Sequence, residues 1–474
     1  MSFNSVTFIW FYLPLVISGY FIVSTISKKH ITIRNLFLVI VSFLFYAWGD
    51  VRSFPFLIGV IVLGWCSAII IERSTNIYIK KGILFFAVIL QLGALVYYKY
   101  LNFIIDNVKA VTNLEMNRIS YFVPLGISFI VFQGISYVVD VYRGDSKAQK
   151  NLVSVALYYS FFPQLITGPI VRYSFMEESL TKRQITVKKI YYGIKRFVIG
   201  LAKKVIIADC LGQMVDSILE LHYSQWGTFF AWLIMIGYSM QIYYDFSGYT
   251  DMAIGIGQAF GFKIPENFDM PYISKSVREF WRRWHISLSS WFRDYVYIPL
   301  GGNRKGTFRT YVNLMIVFLI TGLWHGASWN FILWGLWHGI FMLLERFWLG
   351  SRLSKCKWSI ISSFYTLAVV FVGWIFFRVT SLSEALYLIK LLVVPTLSDS
   401  NAITFYFINP YTMVILLVAL FLCGPIQRIY KKLINKMNIH IVKTAEMFGL
   451  ILIFLYSLVQ VVASTYSAFI YQQF

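Results

Sequence analysis

The sequence predicts an all-α integral membrane protein, and composition and segment length carry this prediction. Of the 474 residues, 58% are hydrophobic and only 13% charged, and the mean hydropathy is +0.67. Soluble domains are typically about a quarter charged. Many segments hold about 20 apolar residues, enough as a helix to cross a hydrocarbon core of about 30 Å. Because no long polar stretch interrupts them, we expect one multi-pass membrane domain over residues 1–474.

The apolar runs, taken in order, predict the membrane helices. The first run follows no basic residue and precedes no clear small-residue cleavage site, so we interpret it as a retained helix. Basic residues after the first, third and fifth runs indicate an outside amino terminus. The runs cover residues 6–26, 35–48, 54–71, 82–98, 121–139, 152–169, 190–218, 226–246, 311–324, 328–348, 358–378, 408–424 and 446–468.

The sixth run, 152–169, departs from that alternation because basic residues flank both of its ends. It contains the sequence FFPQLITGP at 161–169. Proline and glycine break a helix at membrane depth only where protein or a water-filled cavity shields the freed backbone groups. We therefore expect a re-entrant segment beside a central cavity, with a kinked spanning helix as the alternative.

The formal net charge of +21 does not indicate a nucleic-acid partner. The Lys and Arg residues fall in short clusters between apolar segments, and such clusters orient loops and contact anionic lipid headgroups. Nucleic-acid binding needs a basic soluble face, which is absent from this pattern. The four cysteines have no CxxC spacing, which is typical of structural thiols.

A group of ionisable residues interrupts the apolar sequence within fewer than one hundred positions. Ionisable residues in membrane regions cost free energy unless paired or hydrated, so they are candidates for a functional site. No HExxH motif occurs, no two histidines are three or four residues apart, and no cysteine accompanies them. We therefore predict proton transfer and no metal site. The group consists of Asp245, Asp251, His285, Asp294, His325 and His338.

His325 follows the apolar run 311–324. As a helix of about fourteen residues this run would be roughly 21 Å long, so we expect it to end inside the membrane and to place His325 there. A neutral imidazole at that depth can accept a proton from a hydroxyl or a thiol, as a general base does. A buried histidine bonded to a backbone carbonyl explains the residue equally well.

The stretch 263–309 interleaves cations with aromatic residues. This pattern is typical of an interfacial or half-inserted helix whose polar edge faces a ligand, and also of a helix anchored only at cytoplasmic headgroups. Within it, the sequence GGNRKG at 301–306 lacks the ending of a P-loop. Its glycines and polar residues, including Asn303 and Arg304, suit either the phosphates of a donor or an ordinary turn.

Five motifs resemble the membrane-bound O-acyltransferase family, and within it the bacterial branch of alginate O-acetyltransferase membrane subunits. Similarity at 161–172 and 45–50 extends the resemblance over most of the chain, and it is strongest in the core motifs between 155 and 340. The five motifs are 246–255 (FSGYTDMAIG), 265–272 (PENFDMPY), 279–295 (EFWRRWHISLSSWFRDY), 297–304 (YIPLGGNR) and 322–326 (GLWHG).

The resemblance implies roles for particular residues. Acyl transfer would depend on His325, and His285 would occupy a second site position, where many eukaryotic relatives have Asn or Asp. The fold implied is a ring of about 11–13 spanning helices, with re-entrant or interfacial segments around a central tunnel. Trp284 or His285 would stabilise the oxyanion. A phosphate-rich donor would be attracted by Arg282, Arg283 and Arg293.

The sequence therefore predicts a multi-pass acyltransferase of the bacterial cytoplasmic (inner) membrane. It would carry an acetyl group from a cytoplasmic thioester, acetyl-CoA or an acyl-carrier thioester, to an extracytoplasmic alginate-type polysaccharide, with no permanently bound cofactor. Besides membrane lipid, the resemblance implies a periplasmic or surface SGNH-type acyltransferase as partner. Peptidoglycan O-acetylation and teichoic-acid D-alanylation are alternatives within the class, and a transporter or flippase without acyl chemistry is one outside it.

Overall fold

The computed structural model describes residues 2–397, 409–424, 426–427, 439–463 and 469–470. Every regular element in these residues is helical, which confirms the predicted all-α class. Residues 408 and 464–468 of the last two predicted runs lie outside the described residues. Within the described residues, six helical stretches are long and apolar enough to cross a membrane, namely Phe8–Ile26, Ile31–Arg73, Ile77–Thr112, Thr307–His325, Ser359–Arg378 and His440–Ala463.

The helices follow the predicted apolar runs closely in the amino-terminal half of the chain. They are α1 (Leu13–Ile26), α2 (Ile31–Asp50), α3 (Phe54–Arg73), α4 (Ile77–Leu95), α5 (Leu101–Thr112), α6 (Ile127–Arg143), α7 (Leu152–Ser160), α8 (Phe162–Leu165), α9 (Tyr173–Thr181), α10 (Val187–Ala202), α11 (Asp209–Leu219) and α12 (Thr228–Ala259).

The remaining helices alternate between short segments and spanning ones. They are α13 (Val277–Arg283), α14 (Ile286–Phe292), α15 (Thr307–His325), α16 (Trp329–Leu344), α17 (Gly350–Lys355), α18 (Ser359–Arg378), α19 (Leu382–Val393), α20 (Pro410–Leu422) and α21 (Ile439–Ala463). The chain divides into two compact units, Met1–Phe197 with Asp251–Pro265, and Val198–Thr250 with Glu266–Phe474. The single membrane domain over 1–474 stays a prediction.

In the first unit, the predicted re-entrant segment is broken into two short helices. α7 has nine residues and α8 has four, and Phe161 between them leaves the helical region. Nine helical residues extend about 14 Å, less than half of a hydrocarbon core. The amide of Phe162 donates to Ser42 Oγ (3.2 Å). The break is thus shielded by protein, as a re-entrant segment requires.

In the second unit, α15 and α16 are joined by residues 326–328 and pack closely. Small residues allow the approach, because a Cβ at Gly322 would collide with the carbonyl of Phe331. A Cβ at Gly335 would likewise collide with the carbonyl of Phe318. Close backbone contact through glycine is a common way to pack membrane helices. It fixes the end of α15, which carries His325, against α16.

Helix α15 is longer than the sequence predicts. It has 19 residues and begins at Thr307, directly after Gly306, whose φ of +87° ends the preceding turn. Its length of about 28 Å nearly matches a hydrocarbon core. The predicted length of about 21 Å was therefore too short, because residues 307–310 (TFRT) extend the helix beyond the apolar run. The depth of His325 in the membrane stays a prediction. Its packing, rather than its length, buries His325.

The stretch 263–309 forms several short helices instead of one. A 3₁₀ turn at Pro271–Ile273 precedes α13 and α14, which have seven residues each, and a π-helical turn follows at Arg293–Tyr297. None of them is long enough to span a membrane. Such short, aromatic-rich pieces fit the interfacial segments that the sequence predicts.

Candidate active site

His325 is the last residue of α15 and lies among aromatic rings from three helices. His325 is only 2% exposed. The imidazole centroid lies 5.0 Å from the ring of Trp334 on α16 and 5.0 Å from that of Phe377 on α18. This enclosure holds the imidazole away from bulk water.

His285 occupies the bend between α13 and α14. Its φ of +44° is unusual for a residue with a side chain. The residue is 1% exposed, and its Nδ1 lies 3.2 Å from Oδ1 of Asn267. Phe246 contacts the imidazole edge-on, with centroids 4.7 Å apart. The left-handed bend therefore turns the imidazole inward instead of continuing the helix.

Asn267 determines which nitrogen of His285 carries the proton. Its Oδ1 accepts the backbone N–H of Ser287 (3.1 Å) and the hydroxyl of Ser287 (2.9 Å). The atom facing His285 is therefore an acceptor, so Nδ1 of the neutral imidazole donates and Nε2 holds the lone pair. Burial lowers the pKa of His285 to about 3, so the imidazole is neutral near pH 7.

Trp324 brings the two predicted histidines into one site. Its indole lies 4.9 Å from the imidazole of His325 and 6.0 Å from that of His285, centroid to centroid. Both imidazoles therefore contact the same ring, although they are forty residues apart in sequence. A proton acceptor and a second polar group close together are the elements that acyl transfer to a hydroxyl needs.

His338, in the second Leu-Trp-His-Gly sequence, contacts the ring of Trp334, which also contacts His325, but it contacts neither Trp324 nor His285 among the described residues. Its imidazole is 5.0 Å from the Trp334 ring and 5.1 Å from that of Trp281. The residue is fully buried. Neither ring nitrogen has a hydrogen-bond partner among the residues that the structure describes. We interpret His338 as part of the aromatic core.

The three aspartates of the ionisable group form ion pairs. Asp245 Oδ1 lies 2.7 Å from Lys204 Nζ, and both residues are almost fully buried. In the first unit Asp251 pairs with Arg196 at 2.9 Å. Pairing removes most of the cost of these charges in an apolar region, which explains their presence without a catalytic role.

Two of the predicted donor-binding arginines are already paired with acids. Arg283 lies 3.0 Å from Asp269 and 2.9 Å from Glu279. Arg293 pairs with the neighbouring Asp294 at 2.7 Å. A paired guanidinium can still contact a phosphate, because five N–H groups are available. Donor binding by these residues stays a prediction.

The other predicted donor-binding residues differ in exposure. Arg282 and Arg304 are exposed and form no salt bridge within the described part of the chain. Asn303 accepts the hydroxyl of Tyr297. Trp284 is 1% exposed and stacks on Phe280 in the core. Its contacts are those of a packing residue, and its oxyanion role stays a prediction.

Sequence reasoning missed Asn267 and Ser287, which orient His285. The signal was present, because Asn267 lies in the motif 265–272. Asn267 precedes His285 by 18 residues. The two segments are brought together where the N–H of Ile286 donates to the carbonyl of Asn267 (3.0 Å). No residue spacing within one helix or strand reveals that contact.

These features define a multi-pass helical membrane protein with a buried two-histidine site. The family model described as MBOAT, membrane-bound O-acyltransferase family, matches residues 94–383, which include both histidines. The chain belongs to the membrane-bound O-acyltransferase family. It is therefore an O-acyltransferase, and family membership favours this function over the transporter alternative.

The names of individual relatives describe related activities. The chain is 40% identical over 395 residues to a probable alginate O-acetylase AlgI of Pseudomonas putida, which covers 81% of this chain and 79% of the relative. It is 34% identical over 423 residues to a peptidoglycan O-acetyltransferase of Helicobacter pylori, with coverage of 82% and 79%. A teichoic acid D-alanyltransferase of Bacillus subtilis is 32% identical over 274 residues, covering 55% of the chain and 67% of the relative.

Proposed function

We propose that this membrane O-acyltransferase supplies acetyl groups for the O-acetylation of an alginate-type polysaccharide outside the cytoplasm. Similarity to a probable alginate O-acetylase over four-fifths of the chain supports the acceptor class. The geometric observation that carries the chemistry is the contact of His285 and His325 with one indole, that of Trp324. Two imidazoles in contact with one indole ring provide a proton acceptor and a second polar group for a single acyl carbonyl.

In the proposed step, His325 accepts the proton of the acceptor hydroxyl while the hydroxyl oxygen attacks the carbonyl carbon of the thioester. The tetrahedral intermediate then expels the thiolate, which takes the proton from His325 and leaves as a thiol. One ester forms and one thioester breaks, and the imidazole returns to its neutral state. His285, or Trp284, would stabilise the negative oxygen of the intermediate.

The donor in this proposal is a cytoplasmic thioester, either acetyl-CoA or an acyl-carrier thioester, with no permanently bound cofactor. Arg282 and Arg304 support it, because both are exposed cations, Arg282 on α13 three residues before His285 and Arg304 in the turn before α15. Exposed guanidinium groups suit the phosphates of a pantetheine-bearing donor. Arg283, Arg293 and Asn303 complete the proposed donor-binding group.

Delivery to a polymer outside the cytoplasm implies a second protein. We place the chain in the bacterial inner membrane, with its basic loops in the cytoplasm. A periplasmic or surface SGNH-type acyltransferase would take the acyl group and transfer it to the polymer. The chain would thus perform the half of the relay that crosses the membrane.

Peptidoglycan O-acetylation is a second candidate, since the peptidoglycan O-acetyltransferase relative covers as much of the chain as the alginate relative does. Its lower identity, 34% against 40%, favours the alginate-type acceptor. The teichoic acid relative covers only 55% of the chain. D-alanylation is therefore the least supported of the three.

The test is to delete the gene and to measure ester-linked acetate in the exopolysaccharide and in peptidoglycan, with ester-linked D-alanine as a third readout. We expect loss of acetate from the exopolysaccharide alone, restored by the wild-type gene and not by His325→Ala. Loss confined to peptidoglycan or to D-alanine would replace the acceptor. Full restoration by His325→Ala would overturn the proposed base.

A further inference from the structure

A polar cavity of about 440 Å³ lies in the second unit, apart from the two-histidine site. The amino-terminal end of α13, the segment after α16 and the beginning of α18 form its walls. Three cations line it, Lys275, Arg278 and Arg346, together with hydroxyl groups such as those of Ser351 and Ser359. None of the residues assigned above to catalysis or donor binding belongs to this lining, although Glu279, the partner of Arg283, does.

The two carboxylates of the cavity are occupied by other donors. Glu345 accepts the backbone N–H groups of Val277 (2.6 Å) and Arg278 (3.0 Å), one on each oxygen. Glu279 accepts the side chain of Arg283 on one oxygen and the backbone N–H of Lys275 on the other, both at 2.9 Å. All four carboxylate oxygens therefore already have a partner.

The three lining cations, in contrast, form no salt bridge among the described residues. The lining carries three cations and two carboxylates, and the charge of Glu279 is compensated by Arg283, which lies outside the lining. Glu345 attracts Arg278 and offsets one further charge, so the cavity keeps an excess of positive charge and several hydroxyl donors. The ligand that matches it is an anion with several acceptor oxygens, and a phosphate group has this chemistry.

The surroundings of the cavity indicate a membrane interface. Trp348 and Trp358, which flank the lining segment, are 40% and 69% exposed, and tryptophan is enriched at headgroup level. The same segment carries Arg352, Lys355 and Lys357. Basic clusters beside spanning helices mark the cytoplasmic side and attract anionic lipids.

We propose that this cavity binds the phosphate of an anionic phospholipid headgroup in the cytoplasmic leaflet. Arg278 and Arg346 would contact the phosphate oxygens, with Lys275 and the serine hydroxyls as further donors. The acyl chains would lie along the exposed apolar residues beside Trp348 and Trp358. This inference does not depend on the acceptor or the donor of the acyl-transfer reaction.

The test is native mass spectrometry of the purified full chain in detergent micelles containing phosphatidylglycerol or phosphatidylcholine. We expect about one phosphatidylglycerol to be retained and no phosphatidylcholine. The double substitution Arg278→Gln/Arg346→Gln should weaken retention about 30-fold, since each interfacial cation contributes roughly a factor of five. The double substitution Lys28→Gln/Lys29→Gln removes the same charge from exposed residues of the first unit, outside this basic segment, and should keep the bound lipid.

Further arms separate the possible sources of the phosphate. Coenzyme A and inorganic phosphate are added as competitors, and Arg278→Lys/Arg346→Lys, which keeps both charges, checks that the fold is intact. The proposal is supported if Arg278→Lys/Arg346→Lys and the lysine control variant both retain the lipid and only Arg278→Gln/Arg346→Gln loses it. If Arg278→Gln/Arg346→Gln retains as much lipid as the wild type, the proposal is overturned. Displacement of the lipid by coenzyme A would also overturn it, by assigning the cavity to the acyl donor.

Discussion

The Oδ1 atom of Asn267 lies 3.2 Å from Nδ1 of His285 and fixes the protonation pattern of that imidazole. The same oxygen accepts two hydrogen bonds from Ser287, which hold it in place. A side chain that holds a neighbouring imidazole in one tautomer acts as a positioning residue, because the reactive nitrogen is the one it does not contact. Asn267 therefore fixes the tautomer and the orientation of the His285 imidazole.

We predict that Asn267→Ala lowers kcat at least about tenfold with little change in the KM for the donor, because the substrate is still bound while His285 loses its orientation. Turnover of acetyl-CoA by the purified chain with its acceptor or partner gives both constants. Solid-state NMR of ¹³C,¹⁵N-histidine reports the tautomer directly, and His285→Ala identifies the resonance.

Ser290→Ala is the matched control for this substitution. Ser290 lies on the same helix, α14, but its hydroxyl donates to the carbonyl of Ser287 (3.0 Å) and not to the imidazole. It should leave kcat and the histidine tautomers unchanged. An unchanged His285 tautomer in Asn267→Ala would show that Asn267 does not position this ring.

The two Leu-Trp-His-Gly sequences should respond differently to loss of their histidines. His325→Ala should lower acyl transfer by about 10²- to 10⁴-fold, the usual range for a general base. His338→Leu should retain activity within about threefold, because a leucine of similar volume replaces an imidazole that makes no hydrogen bond within the described residues. Single-turnover transfer from radiolabelled acetyl-CoA measures both. Equal losses in the two variants would contradict the separation of site and core.

The apolar runs predict the class of fold well, because the membrane requires long apolar helices whatever their packing. They predict helix ends less well. Helix α12 continues thirteen residues beyond its predicted run, through the sequence YDFSGYTD at 244–251. Its aspartates are accommodated by Lys204 and Arg196, which are distant in sequence. Such pairing is a property of the packed chain and leaves no periodic signal.

The candidate site, like the helix ends, was predictable only in part from the sequence. His285 and His325 stand out because imidazoles are rare in apolar sequence, and the structure places both against Trp324. The orienting contact of Asn267 depends on the positive φ of His285, which folds α14 back toward residue 267. The bend brings together residues that are distant in sequence, so the sequence alone identifies the candidate histidines but not the contacts that hold them.

In the second unit, one buried lysine compensates the charge of two buried carboxylates. Lys204 Nζ lies 2.6 Å from Asp209 and 2.7 Å from Asp245, and the lysine is 1% exposed. Lys204→Met would leave two buried carboxylates without their cation, which should cost about 3–5 kcal/mol. Unfolding of the purified chain by SDS in mixed micelles measures the change in free energy.

Two variants control this measurement. Lys204→Met/Asp209→Asn/Asp245→Asn removes the whole cluster and should recover most of the lost stability, since no uncompensated charge remains. Lys188→Met changes an exposed lysine of α10 and should shift stability by less than about 0.5 kcal/mol. If Lys204→Met unfolded like the wild type, the cluster would not be a stabilising element.

Arg282 and Arg283 are neighbours with different expected roles in the use of the donor. Arg282 is exposed, so Arg282→Gln should raise the KM for acetyl-CoA about three- to tenfold at low salt and leave kcat within about twofold, whereas Arg282→Lys should keep most of the affinity. Arg283 also holds Asp269 and Glu279, so Arg283→Gln should lower kcat in addition to raising the KM, by loosening the segment that leads to His285. Initial rates at two ionic strengths separate the effects, because salt screens only the exposed charge. A salt-independent KM that is equal in Arg282→Gln and the wild type would remove Arg282 from the donor site.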